Sequence, residues 1–288
     1  VDALALHTRQ ATQSVELVSD RGAVGAYLDI DVLLEVARET GCDCVHPGYG
    51  FLSENAEFAT RCAAAGISFI GPPAEALPLF GNKLAARKLA VSLDIPVVPG
   101  TSEPVLCADD VVAFAASHGY PVMLKAAAGG GGRGMRSVTS ADGLAEAFAR
   151  CQGEAEAAFG DGLLFVEKLI QRPRHIEVQV LADNAGNVIH LHERDCSVQQ
   201  RNQKVIEIAP AFGLDDTVRS RMHEDAVRLV AAAGYQNAGT VEFLLVPETA
   251  EYYFIECNPR IQVEHTVTEQ VTGIDLVEAQ FLVAAGAS

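Results

Sequence analysis

The run Lys125-Ala126-Ala127-Ala128-Gly129-Gly130-Gly131-Gly132-Arg133-Gly134 is the stretch of sequence that most strongly indicates the fold. Four consecutive glycines cannot fill a core, and ordering them costs backbone entropy, so their use is to bring backbone N–H groups close to a ligand. The run leads into strand-like residues 135–138 rather than a helix, which argues against a dinucleotide-binding fingerprint. No Lys-Ser or Lys-Thr pair follows it, so it is not a P-loop.

This glycine flap is interpreted as a lid between two strands that closes over nucleotide phosphates. Lys125 precedes it on an apolar strand, residues 121–127, and offers an ammonium group to phosphate oxygens. Gly130, Gly131 and Gly132 are therefore candidate nucleotide-binding residues. The alternative, a mobile surface loop without a ligand, is the weaker interpretation because it gives Lys125 no role.

Two glutamates and an asparagine near the end of the chain form a second group of candidate ligands. In a hairpin over residues 240–257, Glu256 and Asn258 share one strand face, and Glu242 joins them if residues 248–250 form a three-residue loop. A four-residue loop would turn the two glutamates to opposite faces, and we expect the shorter loop. Facing carboxylates repel by about 4 kcal/mol at roughly 4 Å in an effective dielectric of about 20, which a Mg²⁺ ion would offset. The alternative is a solvated hairpin face.

The residues that follow, Asn258-Pro259-Arg260-Ile261-Gln262-Val263-Glu264-His265, form a third group. If the segment is extended, Arg260, Gln262 and Glu264 share one face, while Ile261 and Val263 are buried. The guanidinium group can hold a small planar anion through two hydrogen bonds, and the carboxylate can accept its proton. The competing interpretation is an ordinary surface strand with a salt bridge.

Composition limits the classes of function. The chain has 288 residues with 21 Lys and Arg against 38 Asp and Glu, a formal net charge of −17, and 49% hydrophobic residues. Such an excess of acid argues against nucleic acid or an anionic membrane surface as a partner, and no apolar run is long enough to span a membrane. The seven cysteines include no C-x-x-C pair, which favours reduced, structural thiols and a cytoplasmic location, or the mitochondrial matrix in a eukaryote.

The order of helical and extended patterns predicts two kinds of architecture. Short strands at residues 42–46 and 67–70 alternate with helices at 31–40 and 54–65, which is typical of a parallel α/β layer. After about residue 170 the strands alternate strictly between apolar and polar residues and are joined by turns, which predicts an antiparallel sheet. The fold class is therefore α/β followed by α+β.

Several motifs together resemble the biotin carboxylases, which are ATP-grasp enzymes. In the family's order they are His46-Pro47-Gly48-Tyr49-Gly50-Phe51-Leu52-Ser53-Glu54-Asn55, Lys125 with residues 129–136, Glu193-Arg194-Asp195-Cys196-Ser197, Gln203-Lys204-Val205 and Arg260-Ile261-Gln262-Val263-Glu264-His265. Other ATP-grasp ligases share the glycine flap and the metal-binding glutamates but not the last run. The resemblance extends over essentially all 288 residues.

The resemblance implies an ATP-grasp fold preceded by a partial parallel α/β (pre-ATP-grasp) domain. The expected boundaries are 1–80 for the N-terminal domain and 81–288 for the ATP-grasp domain, with a lid at about 97–169 and an antiparallel catalytic part at 170–288. The chain lacks the family's usual first strand–helix–strand unit and its C-terminal part, so truncation at both ends is expected.

The resemblance also implies a role for each candidate residue. The residues expected to bind ATP are Lys83, Lys125, Gly130, Gly131, Gly132, Glu167, Lys168, Ile170, His175, Gln199 and Asn202. Those expected to bind Mg²⁺ or Mn²⁺ are Glu242, Glu256 and Asn258. Bicarbonate would be held by Arg260, Gln262, Val263 and Lys204, and the catalytic group would comprise Glu264, Arg260 and Lys204. Asn202 stands where the family usually has His, so the chain departs from the family at a position expected to contact the ribose.

The implied function is ATP-dependent carboxylation of carrier-bound biotin by bicarbonate through carboxyphosphate. It is the first half-reaction of biotin-dependent acyl-CoA, pyruvate or urea carboxylases. The implied partners are a biotinyl carrier and a carboxyltransferase, with a homo-oligomer as the assembly. The alternatives are another ATP-grasp ligase, similar to a carbamoyl-phosphate synthetase, and an inactive nucleotide-binding fragment.

Overall fold

The computed structural model describes residues 2–128 and 134–288, so Gly130, Gly131 and Gly132 lie outside the described residues. The helices are α1 (Leu6–Gln10), α2 (Gly22–Gly25), α3 (Ile30–Glu39), α4 (Ala56–Ala64), α5 (Ala76–Gly81), α6 (Lys83–Ser92), α7 (Ala108–His118), α8 (Leu144–Phe159), α9 (Asp216–Ala232), α10 (His265–Thr272) and α11 (Leu276–Ala284). The strands are β1 (Cys44–Val45), β2 (Ser68–Phe69), β3 (Val122–Ala126), β4 (Met135–Val138), β5 (Leu164–Lys168), β6 (Arg174–Ala182), β7 (Val188–Gln200), β8 (Gln203–Ile208), β9 (Asn237–Val246) and β10 (Glu251–Asn258). Within the described ranges, no helix is long and apolar enough to cross a membrane.

The first part of the chain contains the predicted parallel pairing. Strands β1 and β2 pair in parallel, with Cys44 opposite Ser68, and α3 and α4 pack beside them. Each helix begins at a side-chain cap. The Asp29 carboxylate accepts a hydrogen bond from Val32 N, and the Asn55 side chain accepts one from Phe58 N.

Among the described residues after β2, the strands form two antiparallel sheets, with helices packed against them. The smaller, here called the lid sheet, has the order β4-β3-β5 and shares a core with α7 and α8. The larger has the order β10-β9-β6-β7-β8. One face of the larger sheet packs on α5, α6 and α9 through a continuous apolar core.

Strand alternation separates the core from the opposite, polar face of the larger sheet. Ile176 and Val178 of β6 are fully buried in the apolar core, as their spacing predicts. His175 and Glu177 therefore point to the other face, where β9 brings Glu242 directly opposite Glu177. A strand period of two thus places the acidic residues together on the side of the sheet away from α9.

The β9–β10 hairpin corrects one prediction and confirms another. Val246 pairs with Glu251, so the loop has the four residues 247–250, and the three-residue loop is wrong. A β-bulge at Ile255 then inserts one extra residue, and Glu256 lies directly opposite Glu242 as expected. The bulge cancels the change of face that the longer loop would cause.

The segment after β10 is not a strand. Residues 259–264 form bends and turns that lead into α10, with Glu264 at the helix N-cap position. Ile261 is 3% exposed, in agreement with its expected burial, but Val263 is 60% exposed. The prediction that Val263 is buried is wrong because the turn at 263–264 breaks the alternation of an extended chain.

Candidate active site

A cavity of about 770 Å³ lies between the lid sheet and the polar face of the larger sheet. Every candidate site residue in the described part of the chain lines it. They are Lys83, Lys125, Glu167, Lys168, Ile170, His175, Gln199, Asn202, Lys204, Glu242, Glu256, Asn258, Arg260, Gln262, Val263 and Glu264. The three groups of residues that the sequence singled out, apart from the glycines, therefore meet in one place.

Lys204 is the centre of the acidic end of this cavity. Its Nζ lies 2.8 Å from Glu242 Oε1 and 2.7 Å from Glu264 Oε1, and it also contacts Glu177. Lys204 is carried by β8, and the three carboxylates come from β6, β9 and the turn before α10. Burial by itself would lower the pKa of Lys204, but the carboxylates around it outweigh this and raise the pKa.

Glu242 is held ionised although its side chain is only 4% exposed. Oε1 accepts hydrogen bonds from Lys204 Nζ, from Asn258 Nδ2 at 2.8 Å and from Gln262 Nε2 at 3.1 Å, and Oε2 lies 2.8 Å from His175 Nε2. Burial would raise the pKa of this carboxyl, but the charges of His175 and Lys204 hold it well below its usual range.

Glu264 is ionised for a similar reason. Burial would raise its pKa, but the effect of Lys204, which lowers the pKa, outweighs that of burial, so the net pKa lies below the usual glutamate value. The side chain is 9% exposed and lines the cavity. An ionised, partly desolvated carboxylate at this position is in the correct state to accept a proton from a bound substrate.

The facing carboxylates fit a divalent cation in their chemistry. Glu242 and Glu256 oppose each other on adjacent strands, Glu256 is paired with Lys83, and Asn258 supplies a carboxamide two residues further along β10. Carboxylate and carboxamide oxygens are the ligands that Mg²⁺ and Mn²⁺ prefer. A cation bound there would take over the counter-charge that the lysines provide in this structure.

Below Lys204 lies a buried ion pair that sequence reasoning did not assign to the site. Arg194 and Glu177 are both fully buried, and Arg194 Nε donates to Glu177 Oε1 at 2.6 Å. Arg194 also donates to Gln262 Oε1 at 3.0 Å and to Thr268 Oγ1 at 2.7 Å. It therefore fixes the floor of the cavity and the segment that carries Glu264. The alternation of His175, Glu177 and Gln179 was the available sequence signal for this second layer.

Arg260 is positioned by a partner more than two hundred residues away in the chain. Its Nε donates to Glu54 Oε1 at 2.6 Å, and its Nη2 donates to Asn258 Oδ1 at 3.2 Å. Glu54 precedes α4 in the N-terminal part of the chain and was missed as a site residue, although it belongs to the 46–55 motif. These contacts hold the guanidinium at the cavity beside Gln262 and Glu264.

The other end of the cavity has apolar walls and cationic groups. Met123 and Met135 of the lid sheet and Leu244 of the larger sheet line it. Lys125 Nζ lies 2.5 Å from Glu167 Oε2. Lys168 Nζ is bound to the carbonyl oxygens of Gly119 and Tyr120, so its side chain stabilises the lid sheet in this structure. Apolar walls with a few polar groups suit a flat heterocycle.

The tip of the β7–β8 hairpin brings Gln199 and Asn202 to the cavity. Gln200 pairs with Gln203, and Arg201 and Asn202 both have positive φ angles, 53° and 62°, as in a two-residue type I′ turn. Asn is favoured at such positions, which gives a conformational reason for Asn at 202. Gln199 Nε2 lies 3.0 Å from His175 Nδ1.

Comparison with known proteins agrees with this geometry. Residues 1–77 match the family model described as biotin carboxylase, N-terminal domain, and residues 82–288 match carbamoyl-phosphate synthase L chain, ATP binding domain. The chain belongs to the biotin carboxylase family of ATP-grasp proteins. The resemblance read from the motifs and the ATP-grasp fold class are confirmed.

Solved structures of the family superimpose closely on the chain. A biotin carboxylase from Campylobacter jejuni, solved as a β,γ-ATP complex, has a TM-score of 0.96 and 46% identity, with coverage of 100% of this chain and 64% of that one. The biotin carboxylase domain dimer of the Hydrogenobacter thermophilus 2-oxoglutarate carboxylase was solved with MgADP, ADP and bicarbonate. It has a TM-score of 0.95 and 42% identity, with coverage of 99% and 62%.

The curated relatives are much longer proteins. Pyruvate carboxylase from Schizosaccharomyces pombe is 53% identical over 287 residues, which are 99% of this chain and 24% of that protein. Pyruvate carboxylase 1 from Caenorhabditis elegans is also 53% identical and is matched over 24% of its length. The chain therefore spans about a quarter of the curated relatives it matches.

Proposed function

We propose that this chain carries out the ATP-dependent carboxylation of biotin with bicarbonate, which is the first half-reaction of a biotin-dependent carboxylase. The observation that carries the proposal is the arrangement around Lys204. Its ammonium group contacts Glu242 and Glu264, in the same cavity as Arg260 and as Lys83 and Lys125. A site for phosphoryl transfer to a small anion needs this combination of cations, metal-type ligands and a base.

The nucleotide would occupy the cavity from the lid sheet to the acidic end. Glu167, Lys168 and Ile170 would lie along the adenine, and His175, Gln199 and Asn202 would contact the rest of the nucleoside. Lys83 and Lys125 would hold the phosphates, with Gly130, Gly131 and Gly132 closing over them. The support is that all the described members of this set line one cavity.

Glu242, Glu256 and Asn258 would hold Mg²⁺ or Mn²⁺. When bound, such an ion supplies charge neutralisation to the phosphate oxygens. The chain's own contribution is the register of β9 and β10, which places both carboxylates on the cavity side of the sheet.

Bicarbonate would be held by Arg260, Gln262, Val263 and Lys204 next to Glu264. Glu264 would take the bicarbonate proton while a bicarbonate oxygen attacks the γ-phosphorus and the bond to ADP breaks, which gives carboxyphosphate and ADP. Carboxyphosphate would then split into CO₂ and phosphate. The biotin ring nitrogen would attack CO₂, and the released phosphate would take the proton that this nitrogen loses. Arg260 suits the anion because its guanidinium is fixed by Glu54 and Asn258.

The substrate and partners of the whole protein are part of the same proposal. We expect a biotinyl carrier and a carboxyltransferase, either on the same polypeptide or on partner chains, and a homo-oligomeric assembly. The relatives named pyruvate carboxylase favour pyruvate as the final acceptor. The seven free cysteines agree with a reducing compartment such as the cytoplasm or the mitochondrial matrix.

The test is ATP hydrolysis by this chain and by the longer protein that carries it. We expect hydrolysis to require bicarbonate, to rise on addition of free biotin, and to be lost in Glu264→Gln. Stimulation by ammonia and not by biotin would instead indicate a ligase similar to carbamoyl-phosphate synthetase. ATP binding that persists in Glu264→Gln, without turnover in the wild-type longer protein, would indicate a nucleotide-binding module.

A further inference from the structure

Arg87 is a largely buried cation of α6, with a side chain that is 11% exposed, and none of the roles above uses it. It follows Lys83 by four positions, so the two cations lie on the same face of the helix. Lys83 contacts Glu256 of the larger sheet, whereas Arg87 Nη1 lies 3.1 Å from Glu167 Oε1 of the lid sheet. The side chains of Arg87 and Glu167 are only 11% and 6% exposed. Helix α6 thus contacts both walls of the cavity through charged groups.

Glu167 is shared by two cations. Lys125 Nζ lies 2.5 Å from the second carboxylate oxygen, Oε2. In the β3–β5 register Met123 pairs with Glu167 and Lys125 pairs with Phe165, so Lys125 and Glu167 are diagonal neighbours on one face. Among the described residues, no donor makes a well-directed hydrogen bond to Glu167 Oε2. Lys125 is therefore held mainly by charge and can leave without breaking a hydrogen-bond network.

Arg87 also contacts Gly100, which lies beside Glu167 of the lid sheet. Its Nη2 lies 3.5 Å from the carbonyl oxygen of Gly100. A Cβ atom at Gly100 would lie only 2.8 Å from Glu167 Cγ, so the backbone passes directly over the Glu167 side chain. One planar guanidinium can contact the carboxylate and the carbonyl together, which a lysine cannot do with the same geometry.

We propose that Arg87 is a positioning residue that keeps Glu167 paired when Lys125 leaves it for a nucleotide phosphate. The inference rests on the proposed function, which places Lys125 at the phosphates. A buried carboxylate that loses its only cation is strongly destabilised. With Arg87 present, the departure of Lys125 removes one of two ion pairs. Without Arg87, Lys125 is the one remaining ion-pair partner of Glu167 among the described residues and is retained there.

Arg87→Met tests the proposal because it removes the charge and keeps an unbranched apolar stem. We expect the Kd and KM for ATP to rise about tenfold while kcat changes less than about threefold, since the loss is in binding. Affinity for adenosine, which has no phosphates, should not change. Arg87→Lys should restore most of the ATP affinity. Lys88→Met is the matched control, because Lys88 is an exposed cation of the same helix, paired with Glu103 at 2.8 Å.

The Lys125→Met background separates this role from a general effect on folding. If Arg87 acts through Lys125, Arg87→Met causes no further loss of ATP affinity there, as measured by titration calorimetry. Additive losses, or parallel loss of adenosine binding, would overturn the inference. Unchanged ATP affinity in Arg87→Met would also overturn it. If Arg87→Met does not fold, Arg87→Gln takes its place, and a loss of ATP affinity in Arg87→Gln that adds to the loss in Lys125→Met would overturn the inference. A wild-type chain that binds no ATP would overturn the proposed function as well.

Discussion

Replacement of Lys204 by Met should destabilise the chain strongly at neutral pH. The Nζ lies 2.7 Å from Glu264 and 2.8 Å from Glu242, and its side chain is 19% exposed. At these distances each pair has roughly 6 kcal/mol of attraction in an effective dielectric of about 20, most of which is offset by the desolvation of the charges. Because the substitution removes a cation shared by three carboxylates, of which Glu264 has no other ion pair among the described residues, we expect the free energy of unfolding to fall by about 3–5 kcal/mol.

The loss of stability in Lys204→Met should also depend on pH. The folded-state pKa of Glu264 is depressed in the wild type, so its pairing stabilises the fold above the usual glutamate range and is lost as the pH falls through the folded value. In Lys204→Met the main opposition to the effect of burial is removed, so the pKa of Glu264 is higher than in the wild type. The penalty is then present at neutral pH and is lost as the pH falls from the variant's folded-state pKa towards about 4, the usual glutamate range. The difference between variant and wild type should therefore shrink with acidification.

Urea unfolding, followed by far-ultraviolet circular dichroism, measures the difference in the free energy of unfolding between variant and wild type. It is carried out from about pH 4, near the usual glutamate pKa, to about pH 8. Lys204→Arg, which keeps the charge, is the control and should lose less stability. Adding Glu264→Gln to Lys204→Met should recover part of the loss, because one unpaired charge is removed. A loss below about 1 kcal/mol, the usual range of an exposed pair, or a loss independent of pH would refute the reasoning.

Two further predictions concern other carboxylates. Glu242→Gln and Glu256→Gln should each abolish metal-dependent ATP hydrolysis with an unchanged circular dichroism spectrum. In the first variant Lys204 keeps two other carboxylate partners, and in the second Lys83 keeps the negative charges of Glu242 and Glu167 nearby. Turnover retained in either variant would remove the metal site. The Glu193 carboxylate accepts a hydrogen bond from Arg219 Nε at 3.0 Å and lies 2.7 Å from His223 Nε2. These two groups outweigh the effect of burial and lower the pKa of Glu193 to about 2. Its pairing should contribute about 3 kcal/mol above the glutamate range, lost as the pH falls towards 2. The unfolding curves of wild type and Glu193→Gln should therefore converge at low pH, and a constant gap would contradict this.

The faces of the sheet could be predicted from sequence because strand geometry leaves little freedom. Strict alternation over residues 175–181 assigns Ile176 and Val178 to the core and His175 and Glu177 to the other side, as found. The acidic end of the cavity follows from this pattern once β9 is paired with β6. The nature and approximate position of the site were therefore accessible from local sequence.

The register of the β9–β10 hairpin depends on two features that compensate for each other, a four-residue loop and a β-bulge, and neither was predicted. Ala250 has a φ of 57° and closes a four-residue loop, with its N–H donating to Val246 O. The extra residue would have moved Glu256 to the wrong face if the bulge at Ile255 had not restored it. Ile is an ordinary strand residue, so its identity gives no sign of a bulge. The pairing of Glu242 with Glu256 was predicted correctly from an incorrect loop.

Contacts between distant parts of the chain could not be predicted. Glu54 is 206 positions from Arg260, and Arg87 is 80 positions from Glu167. Nothing in the local pattern around either member indicates its partner, because such pairs form only when separate elements are packed together. The residues that orient the candidate catalytic groups therefore emerged only from the structure.

The most direct test of the account follows the oxygen atoms of bicarbonate. If Glu264 removes the bicarbonate proton and the resulting anion attacks the γ-phosphate, one bicarbonate oxygen stays with phosphorus when carboxyphosphate decomposes. Hydrolysis of ATP by the full-length protein in the presence of ¹⁸O-labelled bicarbonate should then yield inorganic phosphate with one labelled oxygen, and Glu264→Gln should yield none. Phosphate that takes its new oxygen from water while bicarbonate remains intact would contradict the account.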